Sequence, residues 1–248
     1  MQPLTRGLYT ARMARTAGDL AASQALRHMG FRAARGLAPQ SGTDSDKFDA
    51  RCRHVLIHDT ATATLVCSFR FRVFASGQDI GDSYAAQFYD LERLFAYQAP
   101  MLELGRFCLH PAAHDPDILR LAWAALTRIV DADGVAMLFG CSSFDGADGN
   151  RHRPALQDLA TRPAGPAEWQ PGIASAEVIV LASLAPAALA VATRLAMPPL
   201  LRTYLAMGGW VSDHAVIDRN LDTLHVFTGL AIADIPAARA RALRLIAG

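Results

Sequence analysis

Two periodicities alternate along this chain. Arg53–Asp59 (RHVLIHD) and Ala63–Ala75 (ATLVCSFRFRVFA) carry the period of two that marks strands, and Asp59–Thr62 supplies the turn between them. In the second strand Val66, Ser68, Arg70 and Arg72 share one face; Cys67, Phe69, Phe71 and Val73 share the other. Pro116–Ala132 switches to helical spacing, with Ile118, Ala122, Ala125, Leu126, Ile129 and Val130 forming an apolar stripe. Val135–Cys141 (VAMLFGC) is apolar throughout, which predicts a central strand buried on both faces.

The remaining segments fill in around these. Residues 1–15 read as a leading strand. Thr16-Ala17-Gly18-Asp19 resembles a capping box with Asp in place of Glu, opening a helix to about Ala34 with Leu20, Ala21, Ala25, Leu26 and Met29 on one face. Gly36–Lys47 is a polar loop that brings Asp44, Asp46 and Asp49 close together. Asp79–Leu94 reads as loop and short helix, Ser142–Asn150 as a loop, His152–Thr161 as a short helix and Pro163–Gly172 as a linker. A helix over Met197–Met207, strands over Val211–Val216 and Thr223–Thr228, and a closing helix over Ile235–Ala247 complete the chain. Strands first, then a strand–helix–strand unit, predict a mixed α/β sheet in one domain.

Met101–Asp115 (MLELGRFCLHPAAHD) stands out. Leu102, Leu104, Phe107 and Leu109 make it a buried strand, yet it carries Glu103 and Arg106. A buried unpaired charge costs several kcal/mol, so these two residues are either a structural pair or are used chemically. Asp115-Pro116 follows as an N-cap with proline at the first helical position.

Composition narrows the classes. The chain is 52% hydrophobic and 19% charged with formal net charge +1, so no basic field supports nucleic-acid binding. Cys52, Cys67, Cys108 and Cys141 are widely spaced with no CxxC pair, which reads as reduced core cysteines of a cytoplasmic protein and gives no metal site. The N-terminus has arginines but no apolar run of the secretory type. Val178–Thr193, the longest uncharged apolar run, is too short to span a bilayer and reads as a strand followed by a buried helix.

Several chemistries lose support. No G-x-G-x-x-G follows a strand, and no Walker loop, G-x-S-x-G elbow or HExxH is present. His110 and Asp115 match the H-x4-D spacing of glycerolipid acyltransferases, but Asp115 is accounted for as a helix cap and the companion motifs are missing. What remains is a charged constellation: Arg70, Glu103 and Arg106 with the acids Asp46, Asp49, Asp145 and Asp148. Arginine suits a carboxylate and carboxylates suit an ammonium, so the set fits a small zwitterion.

At these residues the sequence resembles the ornithine-lipid N-acyltransferase family, hemolysin-like acyltransferases of the GNAT-like superfamily related to the autoinducer synthases. The resemblance runs from Leu26 to about Phe227. It is carried in order by Leu26-Arg27 with Phe31, the segment Asp46–Val55, Ser68-Phe69-Arg70, Gln87–Asp90, Leu102–Pro111, Gly140–Asp148 and Pro198–Leu205. It implies a GNAT-like twisted mixed sheet flanked by helices, a single domain over residues 1–248 with a helical insertion at about 152–210. It implies transfer of a 3-hydroxy fatty acyl group from acyl carrier protein to the α-amino group of ornithine, forming lyso-ornithine lipid. No cofactor is held: the donor rides on the phosphopantetheine of the carrier protein. In agreement, Arg106–Asp115 has no glycine after Gly105, where a pyrophosphate loop would need them.

By this resemblance Glu103 acts as base for the α-ammonium, Arg106 holds the substrate or the acyl-phosphopantetheine, Arg70 anchors a carboxylate and Asp46 and Asp49 an ammonium. Asp145 joins the substrate-binding set. Cys108 and Cys141 serve packing. Two departures bear on the substrate. The earliest tryptophan is Trp123, whereas autoinducer synthases carry one soon after the first helix, which counts against the runner-up enzyme reading, an acyl-homoserine-lactone synthase using S-adenosylmethionine. The stretch Gly208–His214 is richer than the family's, which leaves glutamine or lysine as alternative amines. A module that binds acyl carrier protein or membranes without catalysis is the reading from another class. Expected partners are the carrier protein, met by Arg12, Arg15, Arg32, Arg35, Arg151 and Arg153, and the inner face of the cytoplasmic membrane, met peripherally through Val178–Leu201.

Overall fold

The computed structural model describes residues 1–33, 36, 42–184 and 197–248. In chain order its strands are β1 (Leu4–Arg6), β2 (Tyr9–Met13), β3 (Arg53–Asp59), β4 (Leu65–Phe74), β5 (Tyr89–Asp90), β6 (Met101–Leu109), β7 (Met137–Asp145), β8 (Gly172–Ile173), β9 (Val178–Val180), β10 (Trp210–Asp218) and β11 (Thr223–Ala231). Its helices are α1 (Ala17–Phe31), α2 (Pro116–Ala132), α3 (Gly149–Ala160), α4 (Pro199–Ala206) and α5 (Ala237–Ala247). They fall into two compact units: Met1–Val73, Leu104–Val135 and Ala237–Gly248 form the first, and Phe74–Glu103 and Ala136–Pro236 the second.

In the first unit β1, β2, β3 and β4 lie side by side, each antiparallel to the next, with the later part of β6 beside β4. The leading segment is a hairpin rather than one strand, because Gly7 takes φ +55°, which an L side chain rarely adopts, and folds Leu4–Arg6 back on Tyr9–Ala11. β4 is buried on both faces through Val66–Phe71, so its polar face is interior too: Ser68 is 0% and Arg70 3% exposed.

Both helices of this unit start where the sequence places them. Thr16 accepts a hydrogen bond from Asp19 N, and the Asp19 carboxylate accepts one from Thr16 N, completing the capping box. Arg12 clamps the same carboxylate at 2.6 and 3.0 Å, fixing α1 to β2. Asp115 caps α2 and Pro116 occupies its first turn. The predicted α2 stripe is buried, with Leu121, Trp123 and Ala124 added to it, and Arg244 of α5 pairs with Asp131. The stripe expected for α1 is rotated: Ala21, Ala25 and Met29 face outward, while Ser23, Leu26 and Arg27 are buried. The helix turns a polar side inward because its partners there are carboxylates. Ala34, the expected end of α1, lies outside the described residues.

In the second unit β6 runs parallel to β7 over Met101↔Met137 to Glu103↔Phe139. β7 pairs with β11 along its whole length, β11 with β10, and β10 with β9. Ser142–Asp145 was expected as loop but continues β7. The polar residues are tolerated in the ladder because the Ser142 hydroxyl meets Thr228 Oγ1 at 2.8 Å across to β11. One sheet face carries Phe74, Ile80, Tyr89, Leu94, Met101, Met137, Phe139, Trp210 and Phe227. Trp210 lies over Gly229, where a Cβ would fall 2.3 Å from its ring, so only glycine leaves it room. The other face packs Phe144, Val226, Leu224 and Ala215 against Leu156 and Leu159 of α3 and Leu201 of α4. Within the stretch read as a helical insertion the described residues form α3, β8, β9 and α4. Of the apolar run Val178–Thr193, Val178–Val180 is β9, as the strand reading expected, and residues 185–193, where the buried helix was read, lie outside the described residues.

Thr16→Ala removes one arm of the capping box and is expected to cost about 1 kcal/mol, a fall of roughly 2–4 °C in melting temperature for a chain of this size. Calorimetry against the wild type measures it.

Candidate active site

Three arginines and three aspartates close a ring in the first unit. Arg27 of α1 donates to Asp44 Oδ2 at 2.9 Å and to both oxygens of Asp49 at 2.7 and 2.9 Å. It also reaches the Asp44 carbonyl. Arg70 of β4 donates to Asp49 Oδ1 at 2.6 Å and to Asp46 at 2.5 and 2.8 Å. Arg106 of β6 donates to Asp44 Oδ2 at 3.1 Å and to Asp46 Oδ2 at 3.0 Å. Each arginine thus joins two aspartates and each aspartate two arginines, and the formal charges cancel.

The loop is held in register by its own backbone. Asp46 Oδ1 accepts from Phe48 N at 2.9 Å, Gln24 Nε2 donates to Asp49 at 3.0 Å, and the His54 ring donates from Nε2 to the Asp49 carbonyl at 3.1 Å. Burial is uneven. The side chains of Arg27, Arg70, Asp44 and Asp49 are 1–6% exposed, whereas Arg106 is 11% and Asp46 21% exposed. Arg106 and Asp46 are therefore the members that solvent, or a substrate, can reach.

Electrostatics follow from this packing. Burial opposes ionisation of Asp49, but bonds from Arg27, Gln24 and Arg70 outweigh it and hold its pKa well below the usual carboxylate range. Asp46 is likewise lowered: burial acts against it, and Arg70 and Arg106 prevail. Burial pushes the His54 pKa down, and the neighbouring Arg27 and Arg70 charges add to this.

Arg106 holds its place at a conformational cost. It sits inside β6 with φ +50°, a left-handed backbone that costs a non-glycine residue on the order of 1–2 kcal/mol. The irregularity breaks the alternation of β6, so Glu103 and Arg106 cannot be assigned to faces by counting along the strand. Each has partners of its own. Arg106 meets Asp44 and Asp46, while Glu103, in the second unit and 6% exposed, accepts from Tyr84 N at 2.9 Å and Ala85 N at 2.8 Å. Those amides open the short 3-10 turn Ala85–Gln87.

Of the residues expected at the site, Asp46, Asp49, Arg70 and Arg106 come together in the ring. Asp145 lies in the second unit, exposed at the end of β7. Its carbonyl accepts from the His152 ring at 3.0 Å. Arg70, read as a carboxylate anchor, donates to two aspartates. Arg27 and Asp44 belong to the ring and were not assigned to it from the sequence. An arginine at 27, one turn from Ser23 and beside Leu26 on a helix, was the available signal. His110 and Asp115 act locally: His110 Nδ1 accepts from Ala112 N at 3.2 Å and Asp115 accepts from Asp117 N at 2.8 Å. The cysteines are free, and burial pushes the Cys67 thiol well above its ordinary pKa, which suits packing rather than nucleophilic attack. Among the described residues no group of three or more His, Cys, Asp or Glu could hold a metal ion.

The second unit holds a smaller polar cluster. Tyr89 Oη lies 2.9 Å from His225 Nδ1 and 3.0 Å from the His225 carbonyl, and the Tyr89 ring also packs against His214 at 5.3 Å between centroids.

Asp49→Ala strands two buried guanidinium groups and is expected to cost about 3–5 kcal/mol; Asp46→Ala, at the exposed edge, roughly 1.5–3 kcal/mol. Because both pKa values are depressed in the folded state, their stabilisation is full above the ordinary Asp pKa of about 4 and is lost as pH falls below it. Urea midpoints from pH 7 to 2.5 should decline below pH 4 in wild type and less steeply in the variants. Arg106→Gly is expected to be more stable than Arg106→Ala by about 1 kcal/mol, since both lose the guanidinium but only glycine relieves the left-handed backbone; paired denaturation curves decide it.

A family model described as an acetyltransferase (GNAT) domain matches residues 26–124. The L-ornithine N(alpha)-acyltransferase of Rhodobacter capsulatus is 31% identical over 229 residues, 88% of each chain. That of Brucella abortus is 28% identical over 242 residues, 92% of this chain and 86% of the relative. Among solved structures, FeeM, an N-acyl amino acid synthase from uncultured soil microbes, matches with TM-score 0.54 at 9% identity, covering 93% of this chain and 97% of its own. The last likeness is one of fold, the GNAT-like mixed sheet flanked by helices. With a relative above 30% identity along nearly the whole chain, the protein belongs to the L-ornithine N(alpha)-acyltransferase family.

Proposed function

We propose that this protein transfers a 3-hydroxy fatty acyl group from acyl carrier protein to the α-amino group of ornithine, giving lyso-ornithine lipid. Family membership carries the reading: relatives at 27–31% identity over about 90% of the chain bear the ornithine N-acyltransferase name. In the reaction the α-ammonium loses a proton, its nitrogen attacks the thioester carbonyl, the C–N bond forms, the C–S bond breaks, and the thiol leaves with a proton. No covalent enzyme intermediate is needed.

The roles follow from chemistry. Arg106 and Asp46, the reachable edge of the ring, offer one cation and one anion, the complement of an amino acid's carboxylate and ammonium. Arg27, Arg70, Asp44 and Asp49 act as positioning residues behind them. Glu103, whose carboxylate accepts from the Tyr84 and Ala85 amides, is the base that the family resemblance implies for the ammonium proton, directly or through water.

A carrier-borne donor is favoured by the start of α2. In a fold that cradles a diphosphate there, free backbone amides would be expected. Here the Asp115 carboxylate caps that terminus, Asp117 adds a second negative charge in the first turn, and Ala113 N is bonded to His110 O at 2.8 Å. A single phosphodiester makes a smaller demand on such a site. Of the basic residues expected to meet the carrier, Arg15, Arg151 and Arg153 are exposed, whereas Arg12 is bound to Asp19 and Arg32 is buried. Arg35 lies outside the described residues. No described helix is long and apolar enough to cross a membrane. The amphiphilic product suits peripheral contact with the membrane's inner face.

Purified protein offered 3-hydroxypalmitoyl carrier protein with ornithine, glutamine and lysine in parallel should form N-acylornithine, detected by mass; product from another amine, or from none, overturns the substrate assignment. Glu103→Gln is expected to lower kcat/KM at neutral pH by about 100-fold or more and to remove the acid limb of the pH profile. A fall in melting temperature with the pH profile intact would mark Glu103 as structural only.

A further inference from the structure

His225 is a buried histidine that the reaction described above leaves without a task. It lies on β11, 2% exposed, on the sheet face that carries Phe227, Phe139 and Met137. Its ring is fixed from one side. The Tyr89 hydroxyl lies between His225 Nδ1 at 2.9 Å and the His225 carbonyl at 3.0 Å. The carbonyl only accepts, and the phenol has one proton. Both contacts are filled when the phenol donates to the carbonyl and Nδ1–H donates to the phenol. This fixes the tautomer and leaves Nε2 as the bare, accepting nitrogen.

That nitrogen is buried and has no hydrogen-bond partner among the described residues. A buried acceptor left unsatisfied costs about 1–3 kcal/mol, which a donor arriving with a ligand would offset; the neighbouring His214 Nε2 is likewise without a partner among the described residues. Burial, with His214 nearby, pushes the His225 pKa down to about 4, so the ring is neutral at pH 7 and accepts a hydrogen bond rather than a charge-forming proton. Its surroundings fix the class of donor. Phe88 packs edge-on at 4.8 Å and Tyr89 at 5.6 Å between centroids, within a cluster of Phe, Met, Leu and Trp side chains. An ammonium or a carboxylate would be stripped of water there without a counter-charge. An alcohol on a hydrocarbon chain would not.

We propose that His225 Nε2 accepts a hydrogen bond from a hydroxyl carried on the acyl chain, and so selects hydroxylated over plain acyl donors; this rests on the acyl-transfer reading above. Tyr89 is the positioning residue that sets the tautomer. The test compares 3-hydroxypalmitoyl and palmitoyl carrier protein as donors to ornithine. Wild type should favour the hydroxylated donor by about tenfold in kcat/KM, the worth of one neutral hydrogen bond. In His225→Phe, which keeps a ring of similar shape, the ratio should collapse to about one. In Tyr89→Phe, which keeps Nε2 but frees the tautomer, it should fall at least about threefold. A wild type without preference, or a folded His225→Phe with the ratio intact, overturns the proposal. Should His225→Phe fail to fold by circular dichroism, an unchanged ratio in Tyr89→Phe overturns it equally. Titration of free 3-hydroxypalmitate and palmitate, followed by tryptophan fluorescence, reads the same discrimination without turnover. Absent turnover with discrimination present counts against the acyl-transfer reading alone, and absent discrimination counts against His225.

Discussion

The ring of Arg27, Asp44, Arg106, Asp46, Arg70 and Asp49 is the constraint around which the first unit is built. Six formal charges lie at or near the interior, where each alone would cost several kcal/mol. They are tolerated because the ring closes: every guanidinium finds two carboxylates and every carboxylate two guanidiniums. Closure draws on four separate parts of the chain. Helix α1, the loop before β3, strand β4 and strand β6 must each arrive in register. An arrangement missing one of them leaves a buried charge without its partner, which costs several kcal/mol.

The same closure explains why the exposed edge is chemically useful. Arg106 and Asp46 are pinned from behind by members that water does not reach. A side chain already held in place gives up little conformational entropy on binding. The left-handed backbone of Arg106 belongs to this logic, since strain persists only where surrounding contacts over-determine a conformation. In the second unit the polar groups follow a different rule. Glu103 is satisfied by backbone amides and Tyr89 by His225, on a sheet face otherwise given to aromatic and aliphatic packing.

Much of this was legible in the chain. The capping box at Thr16, the helix from Pro116 to Ala132 and the strands through Arg53–Asp59, Phe69 and Met101–Leu109 are local statements, and the residues that make them are neighbours in sequence. So was the oddity of charges in β6, and the grouping of Asp46, Asp49, Arg70 and Arg106, which meet in one ring. The readings that differ are those where a distant partner overrode the local pattern. Ser142–Asp145 looked like a loop but is strand because β11 supplies hydrogen-bond partners, Thr228 among them. Ala21, Ala25 and Met29 of α1 face outward, while Arg27 turns inward to the carboxylates of Asp44 and Asp49.

The sequence by itself determined where the main helices start, that the sheet is mixed, which family the motifs resemble, and which charged residues had no business in a core. These are properties of short-range sterics, capping and periodicity. Only the tertiary structure decided who pairs with whom. Arg106 meets Asp44 and Asp46, Arg70 meets Asp46 and Asp49, and His225 meets Tyr89. Partnership between buried polar groups depends on distances of about 3 Å between atoms far apart in the chain, and no local pattern encodes those distances.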